Sequence, residues 1–238
     1  MAQHYVSPSA LSEFRKCRRC FWLDRNKKIK RPRGAFPTLP GGIDRVLKAY
    51  FDQHRQEGTL PEEIRVAVPK ATTLFEDQAQ ITAMRNARKP LLTCVIGNVK
   101  LVGGLDELLV IPDQTVAPFD YKTKGSAIKP EADPFEYYRM QLNDYGLLLQ
   151  AFGLTLSGKG YLGYWSPMTA EANEGTLPED HGDPVTLMTM RCQVFSMALD
   201  LEAARAEVVA AGVCLDGELP EASPECEVCA FVVAAAGA

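Results

Sequence analysis

The sequence predicts an α/β domain built on a mixed β-sheet with flanking helices. Three observations carry this: the apolar runs between Thr93 and Ile111 break at Gly97-Asn98, a hairpin signal; Thr115 to Lys124 reads as a further strand; and Pro134 to Phe152 reads as a long helix, followed by another β-run at Lys159 to Trp165. The order hairpin, strand, helix, strand belongs to a mixed sheet. With 238 residues, 46% hydrophobic and 24% charged, the chain fits one globular domain, 1–238. Within it we distinguish a helical, basic segment (1–60), a core (90–212) and a cysteine-bearing tail (213–238). No apolar run approaches the ~20 residues of a membrane helix, and MAQHYVSPS lacks the layout of a secretion signal. A cytoplasmic protein with no membrane partner is expected. There thiols stay reduced, so seven cysteines suggest metal ligands or buried thiols before disulfides.

In order, Ser7-Pro8 reads as an N-cap with proline at the first helical position, opening a helix to about Leu23 with Leu11, Phe14 and Phe21 turned inward. That helix bears Cys17 and Cys20. From Arg15 to Arg33 ten Lys or Arg face one Asp, a local balance of +9 that leaves −13 elsewhere. Such a patch reads either as a phosphate-binding surface or as a solvated helix end and loop. A Pro- and Gly-rich loop (Arg31 to Gly42) precedes a helix from about Gly42 to Glu57, with Ile43, Val46, Leu47, Tyr50 and Phe51 as its apolar stripe and His54 on its surface. Ile64 to Val68 alternates like a short strand, and Phe75 to Lys89 reads as a helix.

The chemistry concentrates further on. The second hairpin run carries Asp106, and a turn at Pro112-Asp113-Gln114 returns the chain as the strand of Asp120 and Lys122. Side chains two apart share one strand face, so this acid and ammonium lie together while Phe119 and Tyr121 turn to a core. Pro118 cannot donate to a central ladder, which predicts distortion or an edge there. Asp106 and Asp120 on adjacent antiparallel strands could converge on one hard cation such as magnesium, whereas Glu107 points the other way. On the long helix Gln141 and Tyr145 stack four residues apart. They read either as a pair that bonds phosphate or positions Lys122, or as a boundary pair with wetted polar ends. Val185 to about Cys192 reads as β, and Phe195 to Ala211 as a helix. Cys226 and Cys229 repeat the C-x-x-C spacing of Cys17 and Cys20, giving four thiolates for tetrahedral zinc or an iron–sulfur cluster. Cys94, Cys192 and Cys214 stand singly and read as buried thiols.

Asp106, then D-Y-K at 120–122, then Q-L-N-D-Y from Gln141 to Tyr145, with two C-x-x-C pairs, resembles the PD-(D/E)XK nuclease superfamily, in its RecB-like and CRISPR spacer-acquisition branch. The likeness runs from about Leu11 to Phe231. It implies a restriction-endonuclease-like core whose N- and C-terminal segments are joined by a four-cysteine metal site, either a 4Fe-4S cluster or Zn2+. It also implies Mg2+ or Mn2+ held by Asp106, Asp120 and the Tyr121 carbonyl, with Lys122, Gln141 and Tyr145 completing the catalytic set. The implied reaction is hydrolysis of DNA to 5′-phosphate products, often at free or single-stranded ends, in repair, recombination or CRISPR adaptation with protein partners. The chain departs from the family twice. Asp44 stands where the family's G-x-x-H histidine would be, so it is either a metal ligand or an acid in the first turn of its helix. The cysteines divide two and two rather than one and three, which leaves zinc beside the cluster. The alternative implied function is a catalytically inactive nucleic-acid-binding or adaptor subunit.

Overall fold

A computed structural model describes residues 4–32, 38–68, 73–128, 135–168 and 188–236. Strand β1 (His4–Val6) leads into α1 (Pro8–Lys16) and α2 (Arg18–Trp22), which runs on as a π-turn over Leu23–Lys27. The Ser7 hydroxyl accepts the Ala10 amide, so the predicted cap holds, but the helix breaks at extended Cys17, whose sulfur accepts the Cys20 amide and starts a new helix. Next come α3 (Thr38–Glu57), α4 (Glu62–Ala67), β2 (Thr73–Leu74) and α5 (Gln78–Met84). Helix α3 begins four residues before Gly42, so Asp44 lies beyond its first turn. In its predicted stripe Leu47 and Phe51 are buried, but Val46 faces solvent. The Ile64 to Val68 strand is instead helix α4: Ile64 and Val68 are buried and Val66 is exposed, a spacing of four rather than two.

Strands β3 (Leu92–Ile96) and β4 (Val99–Gly103) form the predicted hairpin, with Gly97 left-handed at φ 59° in its turn. The run expected to continue to Ile111 then breaks. Gly104 passes so close to the Met84 and Arg85 carbonyls that a Cβ there would lie 2.9 Å from both oxygens, and β5 (Glu107–Val110) resumes in a different sheet. Among the described residues there are therefore two mixed sheets rather than one: β1-β4-β3, and β2-β5-β6-β7-β8 with β6 (Val116–Thr123), β7 (Lys159–Pro167) and β8 (Met190–Ala198). Strand β6 pairs antiparallel with β5 and parallel with β7, and the helix α6 (Phe135–Phe152) makes the parallel crossover. Val116 bonds to Thr155 and Ser157, and the β7 ladder starts only at Phe119. Pro118 thus sits in a gap on that side of β6, the distortion its missing donor predicted.

Residues 195 to 198 pair with 162 to 159 as strand, so the last core helix, α7 (Leu201–Asp216), starts six residues later than expected, capped by Asp200 on the Ala203 amide. Helix α8 (Glu227–Ala236) ends the described chain. The expected β-run from Val185 to about Cys192 is strand from Met190 on, and its start and part of the loop from Arg31 to Gly42 fall outside the described residues. No described helix is long and apolar enough to cross a membrane.

The five-stranded sheet is covered on both faces. Phe119, Tyr121 and Trp165 meet Phe51 of α3 on one side; Leu162 and Tyr164 face the larger core of α1, α6 and α7 on the other. Asp144 of α6 is fully buried, and among the described residues neither of its carboxyl oxygens has a hydrogen-bond partner. Burial and nearby Glu207 hold its pKa well above the carboxylate range, against the pull of Arg15. A raised folded pKa means stability that is complete below the unfolded carboxylate range and falls as pH rises towards neutrality. Asp144→Asn, which cannot ionise, is therefore expected to shrink the loss of stability between about pH 4 and 7, read by thermal melts across pH.

Candidate active site and cysteine centre

Alternation along β6 sends Phe119 and Tyr121 to the α3 side and Asp120 and Lys122 to the α6 side, as the two-residue spacing predicted. Asp120 is 1% exposed and forms an ion pair with Lys122. Burial raises the Asp120 pKa to about 7; Lys122 pulls it down and Asp106 pushes it up. For Lys122, burial pulls down, but Asp120 and Asp106 outweigh it and hold the ammonium above its usual range. This lysine stays charged.

Asp106 sits one residue before β5, not inside a strand, yet beside Asp120: its Oδ2 accepts the Tyr121 amide at 3.0 Å. The break at Gly104 is what brings it there. Its carbonyl accepts from Arg85 Nε at 2.8 Å. Arg85 belongs to a buried network that composition does not reveal. Arg55 and Arg85 both donate to Glu107 Oε2, and both also hold Asp52. Glu107 is wholly buried and, as expected, on the face away from Asp120. Burial raises its pKa against the two guanidinium groups.

From the other side α6 brings the Gln141 and Tyr145 pair. The Gln141 side-chain amide lies 2.6 Å from Tyr145 Oη, which donates to Asp120 Oδ1 at 3.4 Å. Tyr145 is 5% exposed and Gln141 partly buried, and the Tyr145 hydroxyl is held well above its usual pKa by burial and then Asp120. Asp44 arrives indirectly. Lys48, one turn on, donates to both its oxygens at 2.9 and 2.8 Å and lies 3.3 Å from Asp106 Oδ1. No sequence signal singles out Lys48, since Asp44 and Lys48 also fit an ordinary exposed i,i+4 pair. The site is thus three carboxylates and two lysines. Asp106 and Asp120 are neighbours with the Tyr121 backbone between them; Asp44 is linked through Lys48.

The four paired cysteines meet. Sγ of Cys17 is 3.6 Å from Cys229, and Sγ of Cys20 is 3.7 Å from Cys226 and 3.9 Å from Cys229. Among the described residues they are the one group of three or more His, Cys, Asp or Glu whose ligand atoms all lie within 4.8 Å, and they could bind a metal such as Zn2+. Asp44, Asp106 and Asp120 do not close to that spacing. All four thiols are free and buried. Burial raises the Cys226 thiol, but the Cys229 amide and the neighbouring sulfurs outweigh it and bring the pKa to about 7, whereas burial pushes Cys20 up. Cys94, Cys192 and Cys214 lie apart from this group, as expected, and are only partly buried.

The basic segment is mostly outward: Lys16, Arg18, Lys27, Lys28 and Lys30 are exposed, while Arg15 pairs with Glu207 and Arg25 with Asp24. Arg33 lies outside the described residues. His54, partly buried, bonds Thr59 near the end of α3 and takes no part in the site.

No family model matches the chain, and no curated protein matches it. Among solved structures, one described as "Crystal structure of SSO0001" aligns over 98% of this chain and 86% of its own, at 14% identity and a TM-score of 0.40.

Proposed function

We propose that the protein is a divalent-metal-dependent deoxyribonuclease of the RecB-like PD-(D/E)XK kind. One observation carries the reading: residues from four separate segments, Asp106, Asp120 with Lys122, Gln141 with Tyr145, and Asp44 with Lys48, converge on one end of β6. The donor set suits a hard cation. Asp106 and Asp120 supply carboxylate oxygen and the Tyr121 carbonyl a third donor, and magnesium typically takes one or two carboxylates and keeps its waters. When bound, Mg2+ or Mn2+ would acidify an attacking water and neutralise charge growing on the phosphate.

The chain's own residues divide the remaining work. Lys122 stays protonated and presents a fixed positive charge beside Asp120, where negative charge develops on the scissile group. Tyr145 fixes Asp120 through its hydroxyl and is itself set by Gln141. Arg85 holds the Asp106 carbonyl, so the Glu107 network acts as the floor of the site. Lys48 holds its ammonium against Asp106 and Asp44. A cation binding Asp106 must displace it, so Lys48→Met is expected to tighten Mn2+ binding several-fold, read by calorimetry without substrate. Unchanged or weaker binding would count against a cation site at Asp106.

The reading is tested with purified protein and labelled single- and double-stranded DNA, with and without Mg2+ or Mn2+. Metal-dependent cleavage to 5′-phosphate ends is expected. Binding without cleavage would favour an adaptor role in a repair or CRISPR-acquisition complex. For the cysteines we propose a single zinc: with Zn–S near 2.3 Å the edge of a tetrahedron is about 3.8 Å, close to the sulfur spacing here. A 4Fe-4S cluster binds each thiolate to a different iron and spreads them further.

A further inference from the structure

Three lysine ammonium groups, beginning with Lys122 beside Asp120, lie over three tyrosine rings. Lys122 is 4.9 Å from the Tyr138 ring centre, Lys16 is 5.0 Å from that of Tyr137, and Lys124 is 5.9 Å from that of Tyr164. The rings are themselves in contact: Tyr137 meets Tyr138 edge to face at 4.9 Å, and Tyr138 meets Tyr164 at 6.0 Å. Rings and ammonium groups therefore form one run that starts beside Asp120 and ends at Lys16, in the last turn of α1, where the exposed basic stretch begins. Tyr164 is buried and Tyr138 half-buried, but Tyr137 is 39% exposed, so the outermost ring is open to solvent on a protein whose core takes most other rings.

We propose that Tyr137 and Lys16 form a stacking step for an unpaired base of single-stranded DNA on its way to Asp120 and Lys122; this rests on the nuclease reading and extends it to how the strand is held. An exposed ring offers its face to any base, and an adjacent ammonium takes the phosphate between successive bases, a combination that binds single strands without reading sequence. A duplex buries its base faces in its own stack and has none to offer the ring. Lys16 directly precedes Cys17, whose sulfur caps α2 and lies 3.6 Å from Cys229, so the cysteine centre anchors the backbone from which Lys16 reaches the ring.

The test is fluorescence anisotropy with a labelled oligo(dT) and a blunt duplex, with Ca2+ in place of Mg2+ or Mn2+ and no chelator so that cleavage is prevented and the cysteine centre stays loaded, across a salt series. Tyr137→Ala is expected to weaken oligo(dT) binding on the order of tenfold while changing duplex binding less than twofold, and Tyr137→Phe to restore it. Lys16→Gln should also weaken oligo(dT) binding and flatten its salt dependence by about one phosphate contact. Circular dichroism melts establish that each variant is folded. Folded Tyr137→Ala that binds oligo(dT) as wild type does, an equal loss for duplex, or wild-type protein that does not bind oligo(dT) would each overturn the proposal. The two readings fail separately. A wild-type protein that cleaves no DNA but shows the Tyr137 effect keeps the stacking step and loses the nuclease, and cleavage with an indifferent Tyr137 does the reverse.

Discussion

Asp120→Ala and Lys122→Ala are each expected to lower magnesium-dependent DNA cleavage by at least a factor on the order of a thousand, while DNA affinity changes little. Affinity is spread over many phosphate contacts, whereas turnover rests on these two side chains and Asp106. Removing either partner of a buried ion pair also strands the other charge, which by itself destabilises a fold. Rates are therefore compared only for variants that melt cooperatively, and Asp120→Asn, which keeps the shape and one acceptor, serves as the milder form. A folded variant at either position that cleaves at the wild-type rate would remove the active site from this end of β6.

The second large effect is at the cysteines. One centre joining Cys17 and Cys20 to Cys226 and Cys229 closes a loop of roughly 200 residues. By analogy with a disulfide, constraining so long a loop in the unfolded chain is worth up to ~5 kcal/mol, set against the ~5 to 15 kcal/mol that a typical domain has in total. Cys17→Ala or Cys229→Ala should lower the melting temperature by roughly 10 to 20 °C and release the metal. Cys94→Ala should change packing alone. One zinc per chain in a colourless preparation supports the single ion, and brown protein containing iron and sulfide the cluster. Full metal content in both clip variants, with an unchanged melting temperature, would dismiss the centre.

Much of the site was legible because it is local. Two-residue alternation put Asp120 and Lys122 on one face of β6, four-residue spacing stacked Gln141 on Tyr145, and the repeated C-x-x-C paired the cysteines. What escaped depends on distant partners. Three-residue β1 carries no periodic signal and exists because it adds to β4; the break at Gly104 is dictated by the carbonyls of Met84 and Arg85. The short run Val194-Phe195-Ser196-Met197 suits strand or helix equally, and its pairing with β7 decides the matter. Nothing in the sequence links Arg55, Arg85 and Glu107, which the fold buries together. Lys48 shows its second partner, Asp106, only in three dimensions.

The order in which the cysteines are made has a consequence in time. Cys17 and Cys20 are buried against Cys226 and Cys229, so on the ribosome the first pair emerges without the groups that later cover it. At about 5 to 20 residues per second, the wait for the second pair is roughly 10 to 40 s. Through that interval two reduced thiols stay open to oxidants and stray metals, and α1 lacks its anchor at Cys17. Closing the cysteine centre thus waits for Cys226 and Cys229, and a chain interrupted before Cys226 would be left with an incomplete ligand set and an exposed thiol pair for quality control to recognise.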